Sequence, residues 1–345
     1  MRYLSLLSDQ ELKEWLKANN EAEFRAKQIF SWIFDKWVPS TMEMKNIPQK
    51  LRRKLDESFT YGKSTIIEEE STEDMTEKLL INLHDNECVE NVIIRTENRT
   101  TFCLSSQVGC AVQCRFCASG IDGLVRNLHA GEIIDQLLIC CSKAQSRPDN
   151  IVFMGIGEPM MNIEHILKAL EIISSPDRFE MSPRRITVST SGRPDGIRKL
   201  ANLAKPYNLA LSLHGTDDKT RALLIPDKCR KPLAEILDAC TEYRAVTGRM
   251  VTFEYTLIKN INDSEIQAET LAKLAKSHRA KVNIIPFNSV ESTNYERPDD
   301  TKIINFLNIL LKNGIQATCR LKKGDNINAA CGQLRRSSGK SGNTE

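Results

Sequence analysis

Apolar positions in the first sixty residues recur every three or four places, the period of helices that bury one stripe. Over 21–37 that stripe is Phe24, Ile29, Phe30, Ile33, Phe34 and Trp37, and 8–60 as a whole reads as a small helical unit. The acidic residues Glu68, Glu69, Glu70, Glu73 and Asp74 read as a separator. Beyond them the period drops to two: 77–83 and 88–95 alternate around Asp85-Asn86, which predicts a β-hairpin. From about residue 100, short β-branched or apolar runs at 101–106, 151–155, 185–190, 208–213, 250–258 and 281–286 predict strands. Amphipathic segments at 131–145, 162–174, 195–204, 232–246, 264–278 and 301–313 lie between or after them, with lengths suited to crossover helices.

This pattern divides the chain into a helical accessory domain (1–60), a hairpin and linker (61–99), an α/β domain (100–334) and a tail (335–345). Six βα units imply a parallel sheet. Periodicity leaves open whether it closes as a partial barrel or lies flat and doubly wound, but in both cases ligands belong at the C-terminal ends of the strands.

A 345-residue chain that is 41% hydrophobic can bury a large core, which excludes disordered and fibrous classes. Residues 1–10 lack the features of a secretory signal, and no apolar run approaches the ~20 residues of a membrane span, so the expectation is a cytoplasmic protein. Eleven cysteines in a reducing compartment point to metal or catalytic chemistry for some of them. The net charge of +3 says little about nucleic acid, but 319–345 carries six basic residues against two acidic ones.

The sharpest motif is Cys110-x3-Cys114-x2-Cys117, after the first α/β strand and before the helix at 131. Three thiolates can hold an iron–sulfur cubane and leave one iron open to a ligand, whereas a zinc site would need a fourth ligand such as a remote histidine. Other strand ends carry groups suited to a polar ligand. Gly155-Ile156-Gly157-Glu158-Pro159 offers flexible backbone and a carboxylate; Ser189, Ser212-Leu213-His214 and Asn288 offer hydroxyl, backbone and amide groups. Each alone reads as a turn, a cap or a core residue, and their common position after strands is what distinguishes them. Cys88, Cys140, Cys141, Cys229, Cys240 and Cys319 show no ligand spacing and read as packing.

The three-cysteine spacing resembles the radical S-adenosylmethionine (SAM) superfamily. That resemblance implies a partial (β/α)6 barrel, a [4Fe-4S] cluster held by Cys110, Cys114 and Cys117, and SAM chelated on the open iron. It also implies that Gly157, Glu158, Ser189, Ser212, Leu213, His214 and Asn288 bind SAM. Within the superfamily, Glu87-Cys88-Val89-Glu90-Asn91-Val92, the segment Phe102-Cys103-Leu104-Ser105-Ser106-Gln107-Val108-Gly109-Cys110, Arg126-Asn127-Leu128 and Asp325-Asn326-Ile327-Asn328-Ala329-Ala330-Cys331-Gly332-Gln333-Leu334 closely resemble the RlmN/Cfr family of RNA adenine methyltransferases. The likeness runs over about 21–334.

The family resemblance implies roles outside the cluster loop. Cys331 would carry a methyl group from one SAM, and the radical made from a second SAM would activate it for attack on an adenine carbon of 23S ribosomal RNA. Glu90 would take the ring proton, and Cys103 would release the product by forming a transient disulfide with Cys331. Read without the resemblance, Glu90 would face solvent and Cys103 would be core. Two stretches depart from the family pattern: 118–123 lacks a glutamine and 225–230 lacks an asparagine often found there. They bear on the choice between C2 and the Cfr-like C8 product, for which C2 is the expectation. The implied partners are 23S rRNA, transfer RNA beside the anticodon, and a reducing protein such as flavodoxin or ferredoxin; the expected state is a monomer. Phosphate contacts are expected from Lys27, Lys36, Lys45, Arg52, Arg53, Lys54 and the basic C-terminal segment. A radical SAM enzyme acting on a small molecule or another RNA is the rival reading.

Overall fold

The computed structural model describes residues 2–73, 75–290, 293–319 and 332–335. Three helices, α1 (Asp9–Ala18), α2 (Arg25–Phe34) and α3 (Gln49–Ser58), form the N-terminal unit. Ser8 and Glu11 close a reciprocal capping box at the start of α1, which satisfies two of its free N–H groups. Ile29, Phe30, Ile33 and Phe34 of α2 are buried, as the periodicity requires, but Phe24 is 60% exposed. Phe24 has helical backbone, and its spacing of five residues before Ile29 puts it on the side of the helix away from the stripe.

The sheet that follows has ten strands among the described residues: β1 (Thr65–Ser71), β2 (Thr76–Asn82), β3 (Cys88–Thr96), β4 (Arg99–Cys103), then, after a separate two-stranded ribbon β5 (Gln107–Gly109) and β6 (Leu124–Asn127), β7 (Asn150–Phe153), β8 (Ile186–Thr190), β9 (Asn208–Ser212), β10 (Thr252–Leu257), β11 (Lys281–Pro286) and β12 (Ala317–Cys319). β1 to β4 are antiparallel neighbours, and β4 and β7 to β12 are parallel. The strand order across the sheet is the order along the chain. A doubly wound sheet reverses its order at a switch point, and this one never does. The architecture is therefore the partial barrel, with β1 and β12 at edges that remain unjoined among the described residues.

The crossover helices are α4 (Ala130–Ala144), α5 (Ile163–Ser174), α6 (Pro194–Ala201), the short α7 (Asp218–Leu224), α8 (Leu233–Thr247), α9 (Glu265–Ser277) and α10 (Asp300–Lys312). Glu68, Glu69 and Glu70 of the acidic segment expected to separate two units lie instead in β1, paired with β2 over Thr65↔Asn82 to Ser71↔Glu77, and Asp74 is outside the described residues. Its glutamates lie on an edge strand, where water solvates them and like charge deters further pairing. The hairpin β2–β3 is likewise part of the barrel sheet through β3–β4. One continuous core runs from Leu4 and Leu12 through Phe102, Ile133 and Val188 to Phe306, so the helical unit shares its interior with the barrel. Arg178 joins them with its guanidinium 3.5 Å from the Phe30 ring centroid and a 2.7 Å hydrogen bond to Leu7 O.

Candidate functional site

The strand ends and the cysteine loop enclose a cavity. Its wall includes Cys110, Cys114, Cys117, Gly157, Glu158, Ser189, Ser212, His214 and Asn288, residues drawn from separate strand ends and the loop. The loop is held by the β5–β6 ribbon: Cys110 N donates to Gly123 O at 2.9 Å. Gly109, at φ +71°, must be glycine, because a Cβ there would lie 1.9 Å from Gly123 O. Gly157 is equally constrained at φ +110°, with a hypothetical Cβ 2.7 Å from Gln107 N.

Around the thiols lies an apolar shell of Val112, Phe116, Leu224, Ile225, Ile258 and Phe287. Burial, and then the neighbouring Cys117, push the Cys110 thiol up to about 12; Cys114 is pushed well above its usual value by burial, Cys117 and Cys110. Half-buried thiols packed this close oppose ionisation at Cys110 and Cys114 and are stable as thiolates only around positive charge, and thiolate donors suit iron–sulfur chemistry. Among the described residues no three His, Cys, Asp or Glu side chains meet around a single ion. A cubane needs no such meeting, since each thiolate takes its own iron. His214 is a poor fourth zinc ligand: Thr256 N donates to its Nδ1 at 3.0 Å, which leaves the proton on Nε2. Burial and Arg221 push its imidazole down to about 3, so it is neutral and presents an N–H.

The carboxylate of Glu158 is buried and braces two strand ends, accepting from Met160 N at 3.0 Å and Ser191 N at 2.7 Å. The Thr190 side chain adds a further hydrogen bond, so the carboxylate fixes the strand ends around the cavity it lines. Burial raises its pKa despite those bonds. Leu213 does not line the cavity. Its side chain is core, its N–H donates to Glu254 O, and its carbonyl accepts from Arg221. Alternation along the strand sends it away from the ligand side that Ser212 faces.

Arg221, 1% exposed, has no counterpart in the sequence reading. Its guanidinium donates to Leu213 O at 2.5 Å, Ser212 O at 3.3 Å and Ser191 O at 2.8 Å, tying the ends of β8 and β9 together. Burial lowers its pKa to about 10, and it remains a cation at neutral pH. Thr190, Ser191, Glu254 and Thr256 also line the cavity, and sequence reasoning does not mark them. A lone arginine on a short helix carries no local signal of such a role.

Glu90 and Cys103 lie beside this cavity, not in its wall. Val92 and Cys103 are cross-strand partners of β3 and β4, so their side chains share a face, and Glu90, two residues from Val92, points the same way. That face carries a small apolar cluster of Val92, Cys103, Ile156 and Leu334, against which Met154 of the cavity wall packs. Gly332 to Arg335 lie across it. Ala118 N donates to Gly332 O at 2.7 Å, Ser119 Oγ to Leu334 O at 2.6 Å, and Arg335 N to Glu90 Oε2 at 2.7 Å. Gly332 itself lines the cavity; Cys331, the residue before it, is outside the described residues. Burial raises the pKa of Glu90, against the opposing effects of Lys78 and the Arg335 N–H. Of the remaining cysteines, Cys88, Cys140, Cys141, Cys229 and Cys240 are buried in the fold.

A barrel with three cysteines in its first strand-end loop defines the radical SAM class, and the model of the radical SAM superfamily matches residues 104–271. The model of the ribosomal RNA large subunit methyltransferase N-terminal domain matches 4–60. The probable dual-specificity RNA methyltransferase RlmN of Clostridium perfringens (strain 13 / Type A) is 43% identical over 329 residues, covering 95% of both chains. That of Clostridioides difficile (strain 630) is 44% identical over 96% of this chain and 97% of its own. A crystal structure of a radical SAM methyltransferase from Sphaerobacter thermophilus superposes with a TM-score of 0.93 at 40% identity, over 97% of this chain and 99% of that one. The chain belongs to the RlmN family of radical SAM methyltransferases.

Proposed function

We propose that this enzyme methylates C2 of an adenine in 23S rRNA, and of the adenine beside the anticodon in tRNA, with the methyl group carried on Cys331. The observation that carries the reading is the shared face of Glu90 and Cys103, crossed by Gly332 to Arg335 next to the three-cysteine cavity. The names of the relatives, which specify RNA and a dual specificity, support the same reading.

Cys110, Cys114 and Cys117 would hold the [4Fe-4S] cluster, and Gly157, Glu158, Ser189, Ser212, His214 and Asn288 would surround SAM, with Leu213 acting through Arg221. When bound, the cluster supplies the electron that cleaves SAM to a radical able to take hydrogen from a methyl group. This chemistry is needed because a carbon between two ring nitrogens is a poor nucleophile. Glu90 then accepts the ring proton from the adduct, a task for a carboxylate held close to the reacting carbon. Cys103 attacks the sulfur of Cys331: the S–S bond forms, the carbon–sulfur bond breaks with its electron pair left on the methylene carbon, which takes a proton to become the methyl group, and the one electron left from the radical addition would return to the cluster as the methylated base leaves. A reductant must then restore both thiols.

The target adenine must be unpaired or flipped, since its C2 is buried in a duplex. Lys27, Lys36, Lys45 and Arg53 are exposed on the helical unit and would meet phosphates, with Arg52 and Lys54 partly buried beside them. Among the described residues no helix is long and apolar enough to cross a membrane. A cytoplasmic monomer reduced by a flavodoxin or ferredoxin completes the proposal.

The test is anaerobic reaction of the reconstituted protein with methyl-labelled SAM, a reductant and unmodified ribosomal RNA, with nucleosides read by mass spectrometry. Wild type should form 2-methyladenosine and Cys331→Ala none. An 8-methyl product would replace the C2 assignment, and SAM cleavage with no label in Cys331 or RNA would overturn the reading.

A further inference from the structure

The face shared by Glu90 and Cys103 extends two strands further, across β2 to β1, than the assigned chemistry requires. Lys78 of β2 pairs with Val92 of β3 and with Glu70 of β1, and Leu80, two residues on, pairs with Glu90. Cross-strand partners share a face, so Glu70, Lys78, Val92 and Cys103 form one row, with Glu90 diagonal to Lys78. The Lys78 ammonium lies 3.4 Å from Glu90 Oε1 and 2.6 Å from Glu70 Oε2. Its side chain is 14% exposed and that of Glu90 is 8% exposed, so water screens the pair far less than it would a surface ion pair.

Among the described residues, the other groups facing Glu90 do not replace this cation. Glu68, across Leu80 on the same face, is exposed and acidic. Arg335 offers Glu90 its backbone N–H, while its guanidinium pairs with Asp122 at 3.1 and 3.2 Å. Cys103 sits beyond Val92. An isolated carboxyl in this setting would hold its proton, and a protonated carboxyl cannot serve as a base.

We infer that Lys78 is a positioning residue for proton acceptance: it keeps Glu90 an oriented carboxylate on the face it shares with Cys103, and Glu70 anchors Lys78. This rests on the role given to Glu90 above. The partners of Lys78 raise its own pKa in spite of burial, so it stays charged through the neutral range. One Glu90 oxygen is fixed by Lys78 and the other by Arg335 N, which orients the group.

The first measurement does not depend on turnover. An infrared titration of the protein without cofactor, with Glu90→Gln subtracted to isolate the Glu90 carboxyl band, gives its midpoint in wild type and in Lys78→Met. The substitution should move that midpoint up by about 1 to 3 pH units, and Lys78→Arg should return most of the shift. The second measurement is the pH profile of RNA methylation by the reconstituted enzyme. Lys78→Met should displace its acid limb upward by the same amount, so that activity lost near neutral pH returns in alkaline buffer, with Cys331 methylation unchanged. An unmoved Glu90 midpoint, or a loss of rate equal at every pH, overturns the inference. Failure of wild type to methylate RNA while the midpoint shift stands would instead overturn the role given to Glu90.

Discussion

The backbone N–H of Arg335 donates to Glu90 Oε2 at 2.7 Å, joining groups 245 positions apart. The same four-residue segment is anchored to the cysteine loop through Ala118 and Ser119. The carboxylate, the residues following Cys331 and the loop of Cys110, Cys114 and Cys117 are thus parts of one hydrogen-bonded unit. Displacement of any one would be felt by the others.

Glu90→Gln keeps the size of the side chain and removes its basicity. RNA methylation should fall by about 10²- to 10⁴-fold. Cleavage of SAM and methylation of Cys331 should continue, because neither requires a base at this position. Labelled-methyl counting on protein and RNA separates the two, and loss of both together would contradict the role.

Gly157→Ala forces a side chain into left-handed backbone and to within 2.7 Å of Gln107 N. The strand-end loop that carries Glu158 must move to relieve it. SAM affinity, measured by equilibrium dialysis on the cluster-loaded protein, should drop by about tenfold or more, the loss that one or two displaced hydrogen bonds would cause, while the far-ultraviolet circular dichroism stays that of the wild type.

Arg221→Met leaves the carbonyls of Ser191 and Ser212 without the guanidinium that donates to them, while Leu213 O keeps the Gly215 N–H at 2.7 Å. At about 1 to 3 kcal/mol for an unsatisfied buried group, the total loss should be about 2 kcal/mol or more, read as a lower urea midpoint. Arg221→Lys should recover only part of it, because an ammonium cannot span three carbonyls in the plane of a guanidinium.

Asp135 lies in the core near Ser64, and burial, then Glu132, raise its carboxyl to about 7. Unfolded, it would titrate at about 3.9. The stability it contributes is fully present below that value and is lost as pH rises to about 7, because only the folded state still holds the proton. The loss amounts to roughly 2 to 4 kcal/mol. Asp135→Asn removes the titration, so its urea midpoint should exceed that of wild type by more in mildly alkaline buffer than in mildly acidic buffer. An equal difference under both conditions would refute the shift.

Much of this was legible in local pattern. Six βα units follow from alternating periods, and β7 to β11 lie within a residue or two of the runs that predicted them. β1 escapes such a reading because edge strands tolerate charge: Glu68 to Glu70 reads as a solvated linker until β2 supplies a partner. The β5–β6 ribbon is too short, three and four residues, for any period to register.

The sequence by itself determined what its covalent spacing can carry: the three-cysteine loop, the alternation of strand and helix, and the likeness to a family that names Glu90, Cys103 and Cys331. Tertiary structure decided what depends on distant segments meeting. It set the strand order that makes a partial barrel, turned Leu213 into the core, brought Arg221 under two strand ends, and laid Lys78 diagonal to Glu90. Register and burial are properties of paired strands, and no single strand encodes its partner.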